Sequence, residues 1–245
     1  MVKQHSGPRK IDPSSSKFRR LPPKTHLFVN GERPEEIFFL NSGWAYRYKL
    51  LHDGTRQILD FILPGDMIGL PISATSQHID HSVDTITEVH LCALPLQLTL
   101  QRLHTEMEFA SRMIWIKASE EARAFERMMI LGRFDSRQRV AHLLLEILTR
   151  FRKNGFVSGT SCEFPLTQSN LADALGLSTV HVNRILRQLR EERLATVANR
   201  KLTINNIEAL EELCDFDESY INKMTLLCDP FAAKNSQAAC RFSQT

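Results

Sequence analysis

The sequence predicts an α+β protein: an N-terminal antiparallel β-barrel or sandwich, then a long helix, then a C-terminal winged helix. Three observations predict it. Gly31, Gly43, Gly54 and Gly65 recur about every eleven residues, the rhythm of strands and turns. No glycine or proline falls between Pro95 and Gly132. From Leu166, LTQSNLADALGLSTVHVNRILRQLR reads as two short amphipathic helices meeting at a glycine. With 245 residues, 42% of them hydrophobic, the chain can bury more than one core. The expected division is a tail at 1–24, a barrel at 25–95, a long helix at 96–132, a winged helix at 133–214 and a second tail at 215–245.

The opening MVKQHSGPRKIDPSSSK lacks the apolar centre of a secretory signal and reads as a flexible tail. Strand-like runs follow at His26–Val29, Glu36–Leu40, Trp44–Leu51 and Arg56–Leu63, and two more are expected at His81–Thr87 and Val89–Leu94. From Trp44 to Leu50 large apolar residues alternate with Arg47 and Lys49, the pattern of a half-buried strand. Asp53-Gly54 marks a hairpin turn.

In the long helix, Met107, Ala110, Ile114, Ala118, Glu121, Phe125 and Met129 follow a three-four spacing. Met113, Ile116, Ala122 and Met128 widen the apolar surface beyond one stripe. Such a helix is expected to pack on two sides, against its own barrel and against a second copy. The alternative is an ordinary core helix. Another helix should begin at Asp135, with Gln138 completing a capping box and Val140, Leu144, Ile147, Leu148 and Phe151 on one face. Gly155–Ser161 reads as a loop before a short strand at Cys162–Pro165.

Thr167 stands as the N-cap of the next helix, and Gly176 supplies a left-handed stop. Leu177 is expected between the two helices. Ser178 caps the second helix, on which Val182, Ile185, Leu186 and Leu189 form one stripe. Val180, Arg184 and Arg187 then centre the opposite face, flanked by Asn183 and His181. Leu194–Val197 and Lys201–Ile204 read as strands around a turn at Ala198-Asn199-Arg200, a wing directly behind that helix. A helix burying one side and showing Asn, His and Arg on the other fits a DNA major groove.

Charge supports this locally. The whole chain is only +3. From Arg133 to Leu202, however, twelve Lys and Arg face six Asp and Glu, whereas from Thr203 onward three face seven. Positive charge gathers around the helix pair, as contact with phosphates requires. Arg184, Val180, His181, Asn183 and Thr179 are the candidate base readers. Ser178, Thr167, Gln168, Arg187, Arg190, Arg193, Arg200 and Lys201 are the candidate phosphate contacts.

The order of parts resembles the CRP/FNR superfamily of bacterial transcription regulators over about Phe28 to Leu213. The resemblance is carried by Leu63-Pro64-Gly65-Asp66 with Ile68-Gly69, by Arg139-Val140-Ala141, and above all by LTQSNLADALGLSTVHVNRILRQLR. It implies an antiparallel β-barrel of jelly-roll, cyclic-nucleotide-binding-like type as the sensor, a dimerisation helix and winged helices that bind a two-fold operator as a homodimer. Contact with RNA polymerase is implied too. With little chain before His26, it also implies a barrel lacking a helix or strand at its start.

The departures from the family pattern are informative. Cyclic-nucleotide-binding members carry a Glu after the second glycine of the barrel motif and an Arg-Ser or Arg-Thr pair on the phosphate. Here Leu70 follows Gly69, and Asp80-His81-Ser82 stands near the pair's place. Without an Arg the phosphate loses its bidentate partner, so cyclic AMP is not an expected ligand. No cysteine precedes Cys92, so the N-terminal ligands of an iron–sulfur cluster are missing. His78, Asp80 and His81, with His90, are more plainly ordinary hydrogen-bonding groups than a metal site. Cys92 falls in a strand expected to be buried, a poor redox sensor. No cofactor is identified. On the recognition helix Arg184 matches the family's Arg, suited to guanine O6 and N7, while Val180 replaces a Glu and can only pack on a thymine methyl.

No stretch of about 18 apolar residues suggests a membrane span. The five cysteines contain no CxxC pair, which fits reduced thiols and a cytoplasmic protein. No Gly-rich phosphate loop, nucleophile elbow or HExxH motif supports an enzyme. Two readings stand beside a responsive regulator: a ligand-binding barrel with no DNA role, and a DNA binder whose sensor is degenerate.

Overall fold

The strand β1 (Lys17–Leu21) opens the described part of the chain, which in the computed structural model is residues 17–70 and 78–221. It is followed by β2 (His26–Phe28), β3 (Glu36–Ser42), β4 (Ala45–Leu50), β5 (Arg56–Ile62), β6 (Met67–Ile68), β7 (Ser82–Thr85) and β8 (Val89–Pro95). These make two four-stranded antiparallel sheets, ordered β1-β8-β3-β6 and β2-β7-β4-β5. The barrel is thus a jelly-roll pair of sheets and not one closed sheet.

Phe38, Leu40, Ile62, Val83 and Leu91 fill the space between the sheets. Ile37, Phe39, Cys92 and Leu94 point out of the other face and are buried as well. This double coverage explains why β3 reads as a continuous apolar run and not as an alternation. In the Ile68-Gly69 motif, Gly69 has φ +93°, and a Cβ there would sit 2.6 Å from the Phe28 ring. Only glycine fits that approach.

Beyond the sheets come α1 (Leu96–Thr105), α2 (Met107–Arg133) and α3 (Ser136–Lys153). Next are β9 (Ser161–Glu163), α4 (Gln168–Leu175), α5 (Thr179–Glu191), β10 (Ala195–Ala198), β11 (Lys201–Ile204) and α6 (Ile207–Cys214). Phe109, Met113 and Ile116 of α2 cover the outer face of the first sheet. α3 carries the expected capping box of Asp135 and Gln138. It is buried without a break from Val140 to Phe151, because α6, α4, α5 and the barrel surround it.

Three expectations need correction. Lys17–Leu21 was expected in a tail and at a barrel start lacking a strand; it pairs with β8 from Lys17–Ala93 to Leu21–Val89. Four of its five residues are exposed, so no apolar alternation announces it. The helix expected at 96–132 is two helices, broken at Glu106, whose backbone is extended (φ −123°, ψ 97°). Arg102 bridges the break, its guanidinium 2.7 Å from Glu106 and stacked on Phe109. Finally, the region expected to be tail from 215 begins with Phe216 and a 3-10 turn at Glu218–Tyr220, both packed against His142 of α3. Residues 1–16 and 222–245 of the expected tails lie outside the described residues.

The two halves of the molecule share one core. Trp44 of the barrel lies 5.3 Å from the Phe151 ring of α3 and 6.2 Å from Phe164. Tyr46, Tyr48, Ile58, Phe61 and Leu63 join the same apolar cluster as Leu171, Leu175 and Ile185.

Charges reinforce the joint. Arg56 of β5 donates through Nε and Nη2 to Asp173 of α4 at 2.8 and 2.6 Å, and its Nη1 reaches the Tyr46 hydroxyl at 2.6 Å. Deeper in, Arg150 of α3 bonds Asp66 and, at 2.9 Å, the Phe61 carbonyl. Arg123 of α2 lies 3.5 Å from Asp60 and 3.4 Å from Asp66. Arg47 of β4 bonds Glu120 at 2.7 Å, and Arg127 bonds Glu146 at 3.0 Å. Burial by itself would raise the Asp60 carboxyl, but Arg123, Arg150 and Arg47 bring it down to about 2. Barrel, α2 and α3 are therefore fastened by charges that cannot separate without leaving a buried ion alone.

Candidate nucleic-acid interface

Local chemistry builds the helix-turn-helix. Thr167 Oγ1 accepts from the Asn170 N–H at 3.1 Å, and Asn170 Oδ1 accepts from the Thr167 N–H at 2.9 Å, closing a capping box at the start of α4. Gly176 ends α4 at φ +64°. Ser178 Oγ then accepts from the His181 N–H at 3.2 Å and starts α5. Val182, Ile185 and Leu189 are fully buried, and Leu177 and Leu186 pack beside them. Arg139 does not face outward; it donates to the carbonyls of Phe134 and Leu175 and braces the end of α4.

The opposite face of α5 is open. Val180 is 78% exposed, and Thr179, Asn183, Arg184, Arg187 and Arg190 are exposed with it. His181 is set apart from these residues. It is half-buried at the flank, its Nε2 3.0 Å from Ser136 Oγ and 3.0 Å from Arg184 Nη2. Arg187 is held by Glu191 at 2.7 Å. Thr167 and Ser178 spend their hydroxyls on capping, whereas Gln168 is exposed on the first turn of α4.

β10 and β11 pair from Ala195–Ile204 to Ala198–Lys201. Asn199 and Arg200 connect them with φ +53° and +57°, the two left-handed residues of a tight hairpin whose twist suits the strands. Arg200 and Lys201 are exposed on this wing, and Arg200 lies 3.6 Å from Glu163. Arg193, left-handed at φ +57°, is exposed just after α5. The expected phosphate contacts of α5 and the wing thus lie on solvent-facing surface.

Residues 138–213 match the Crp-like helix-turn-helix domain, and residues 18–106 match the cyclic nucleotide-binding domain. The transcriptional activatory protein AadR of Rhodopseudomonas palustris is 32% identical over 178 residues, covering 73% of each chain. The chain belongs to the CRP/FNR family. It is a transcription regulator with a helix-turn-helix DNA-binding domain. The nitrogen fixation regulation protein FixK of Rhizobium meliloti is 27% identical, over 79% of this chain and 85% of that one. The structure of FixK2 from Bradyrhizobium japonicum superposes with a TM-score of 0.73 at 25% identity, covering 81% of this chain and 96% of that one.

In this CRP/FNR protein a cleft of about 780 Å³ separates the barrel from α2, with Gly69, Leu70, Asp80 and His81 among its walls. Among the described residues, the cations along it are paired. Arg47 is bonded to Glu120 and to the Met67 carbonyl, Lys117 to Glu120, and Arg123 to Asp60 and Asp66. Asp80 lies 2.8 Å from His81 and 3.4 Å from Lys49, and Arg33 donates to His78. Among the described residues no group of three or more His, Cys, Asp or Glu could hold a metal ion. Cys92 is buried, and burial pushes the Cys162 and Cys214 thiols up to about 12. No helix among the described residues is long and apolar enough to cross a membrane.

Beyond β1 and the break at Glu106, two sets of contacts are absent from the expectations above: the Arg56–Asp173 pair and the buried charge network. A signal for the second existed. Arg123 and Arg127 fall on the same face of α2 as Met113, Ile116 and Ile130, and a charge on an apolar stripe asks for a buried partner.

Proposed function

We propose that this protein works in the cytoplasm as a homodimer, whose paired α5 helices read the half-sites of a two-fold operator. The observation that carries the reading is Arg184, exposed at the centre of a face directly opposite the buried Val182, Ile185 and Leu189. Arg184 takes guanine O6 and N7, and Val180 packs on a thymine methyl. Asn183 and Thr179 lie beside them. Gln168, Arg187, Arg190, Arg193, Arg200 and Lys201 track the phosphates, joined by Thr167 and Ser178 through the helix N-termini that they cap. A second copy fits the open side of α2, where Met107, Ile114, Phe125 and Met128 are all more than 60% exposed. Because AadR is a transcriptional activatory protein, the bound dimer is assigned contact with RNA polymerase as well. Cyclic AMP is not its signal, given Leu70 and the committed cations of the cleft.

The test is Arg184→Ala against a duplex selected by the parent protein from a random library. Binding should weaken by roughly 1–3 kcal/mol, with preference relaxed at one position of each half-site. Unchanged affinity and unchanged preference would refute the register.

A further inference from the structure

We infer that His181 is not a base reader but the positioning residue that aims Arg184, and that Ser136 of α3 holds His181 in place. This rests on the assignment of Arg184 as a base reader. The contact between the two side chains sets the chemistry. A guanidinium has only donors, so the 3.0 Å approach of Arg184 Nη2 to His181 Nε2 requires that Nε2 be a bare acceptor. Ser136 Oγ lies 3.0 Å from the same Nε2 and shares its single lone pair with Arg184 as a second donor.

The ring's acceptor nitrogen is thus consumed by two donors of its own chain, and the half-buried ring sits at the flank of α5 rather than on its open face. Arg184 gives up one N–H to this contact. It keeps enough donors for the two acceptors of a guanine edge. Holding a long side chain in place before binding saves its ordering cost on DNA, an effect of about three- to ten-fold in affinity. Ser136 is the first residue of α3, two residues beyond Phe134 at the end of α2. The aim of the reader is hence set from the joint between the long helix and the DNA-binding domain.

A double-mutant cycle tests this on the selected duplex and on an unrelated duplex of the same length. His181→Ala should weaken the selected duplex about three- to ten-fold, relax preference at the base pair that Arg184→Ala affects, and leave the unrelated duplex unchanged. Added to Arg184→Ala, it should cost nothing further. His181→Gln, whose amide oxygen can accept from Arg184, should bind nearly as the parent does. Multiplying losses in the double variant would overturn the inference and make His181 an independent reader. So would equal weakening on both duplexes, the mark of a damaged fold, or a Gln variant as weak as the Ala one. If Arg184→Ala alone changes nothing, the base-reading assignment itself has failed.

Discussion

Arg200 and Lys201 stand where a hairpin of four-residue strands turns back, and the turn places both side chains in solvent. A phosphate contact at such a position carries no sequence information, only charge. Lys201→Ala should therefore weaken selected and unrelated duplexes alike and reduce the salt dependence of log K by about one unit. Titrations at several salt concentrations check this, and parallel slopes for parent and variant would take Lys201 off the interface. At this scale the sequence was most readable where the chemistry is local. Thr167, Gly176, Ser178 and the Asp135–Gln138 box do what their neighbours three residues away require. Arg56 and Asp173 were opaque because they lie 117 residues apart, and no local pattern encodes such a meeting.

α2 was legible as two-sided, and its sides divide cleanly. Phe109, Met113 and Ile116 face the barrel, whereas Ile114, Phe125 and Met128 face solvent. Putting a charge in the open stripe should leave the barrel contacts intact while opposing a second copy. Phe125→Glu is thus expected to convert a dimer to a monomer in sedimentation velocity and to weaken operator binding at least ten-fold, because two linked half-sites are lost. A variant that sediments as the parent does would move the interface elsewhere. The break at Glu106 was invisible because nothing there is a glycine or proline. β1 was invisible because an edge strand with solvent on most of its side chains, Lys17-Phe18-Arg19-Arg20, has no alternation to read. Its pairing with β8 is a backbone matter.

For the whole molecule, acid sensitivity follows from one buried imidazole. His142 is fully enclosed by Phe134, Phe216 and Tyr220, and Glu126 lies 3.3 Å from its Nε2 without hydrogen-bond geometry. Burial lowers its pKa to about 4, with Glu146 opposing and Arg127 adding to the shift. The unfolded chain takes up that proton first, near pH 6.5. The neutral ring therefore contributes stability that is complete above about pH 6.5 and fades as the pH falls toward 4. The full effect is on the order of 3 kcal/mol. His81, also lowered by burial with Asp80 opposing, acts in the same direction. Urea unfolding at pH 7.5 and pH 5 should show His142→Phe losing about 2 kcal/mol less than the parent between the two conditions. Equal losses would mean that this ring is protonated as easily inside the fold as outside it.

Trp44 wedged between Phe151 and Phe164 has a practical corollary for anyone dissecting the molecule. Severing the chain near residue 134 to isolate the DNA reader would strip away part of its own keel. The fragment would bare the greasy flank that Trp44, Tyr46 and Phe61 normally cover; Asp173 would lose Arg56, and Arg150 would lose Asp60 and Asp66 and keep only Glu146.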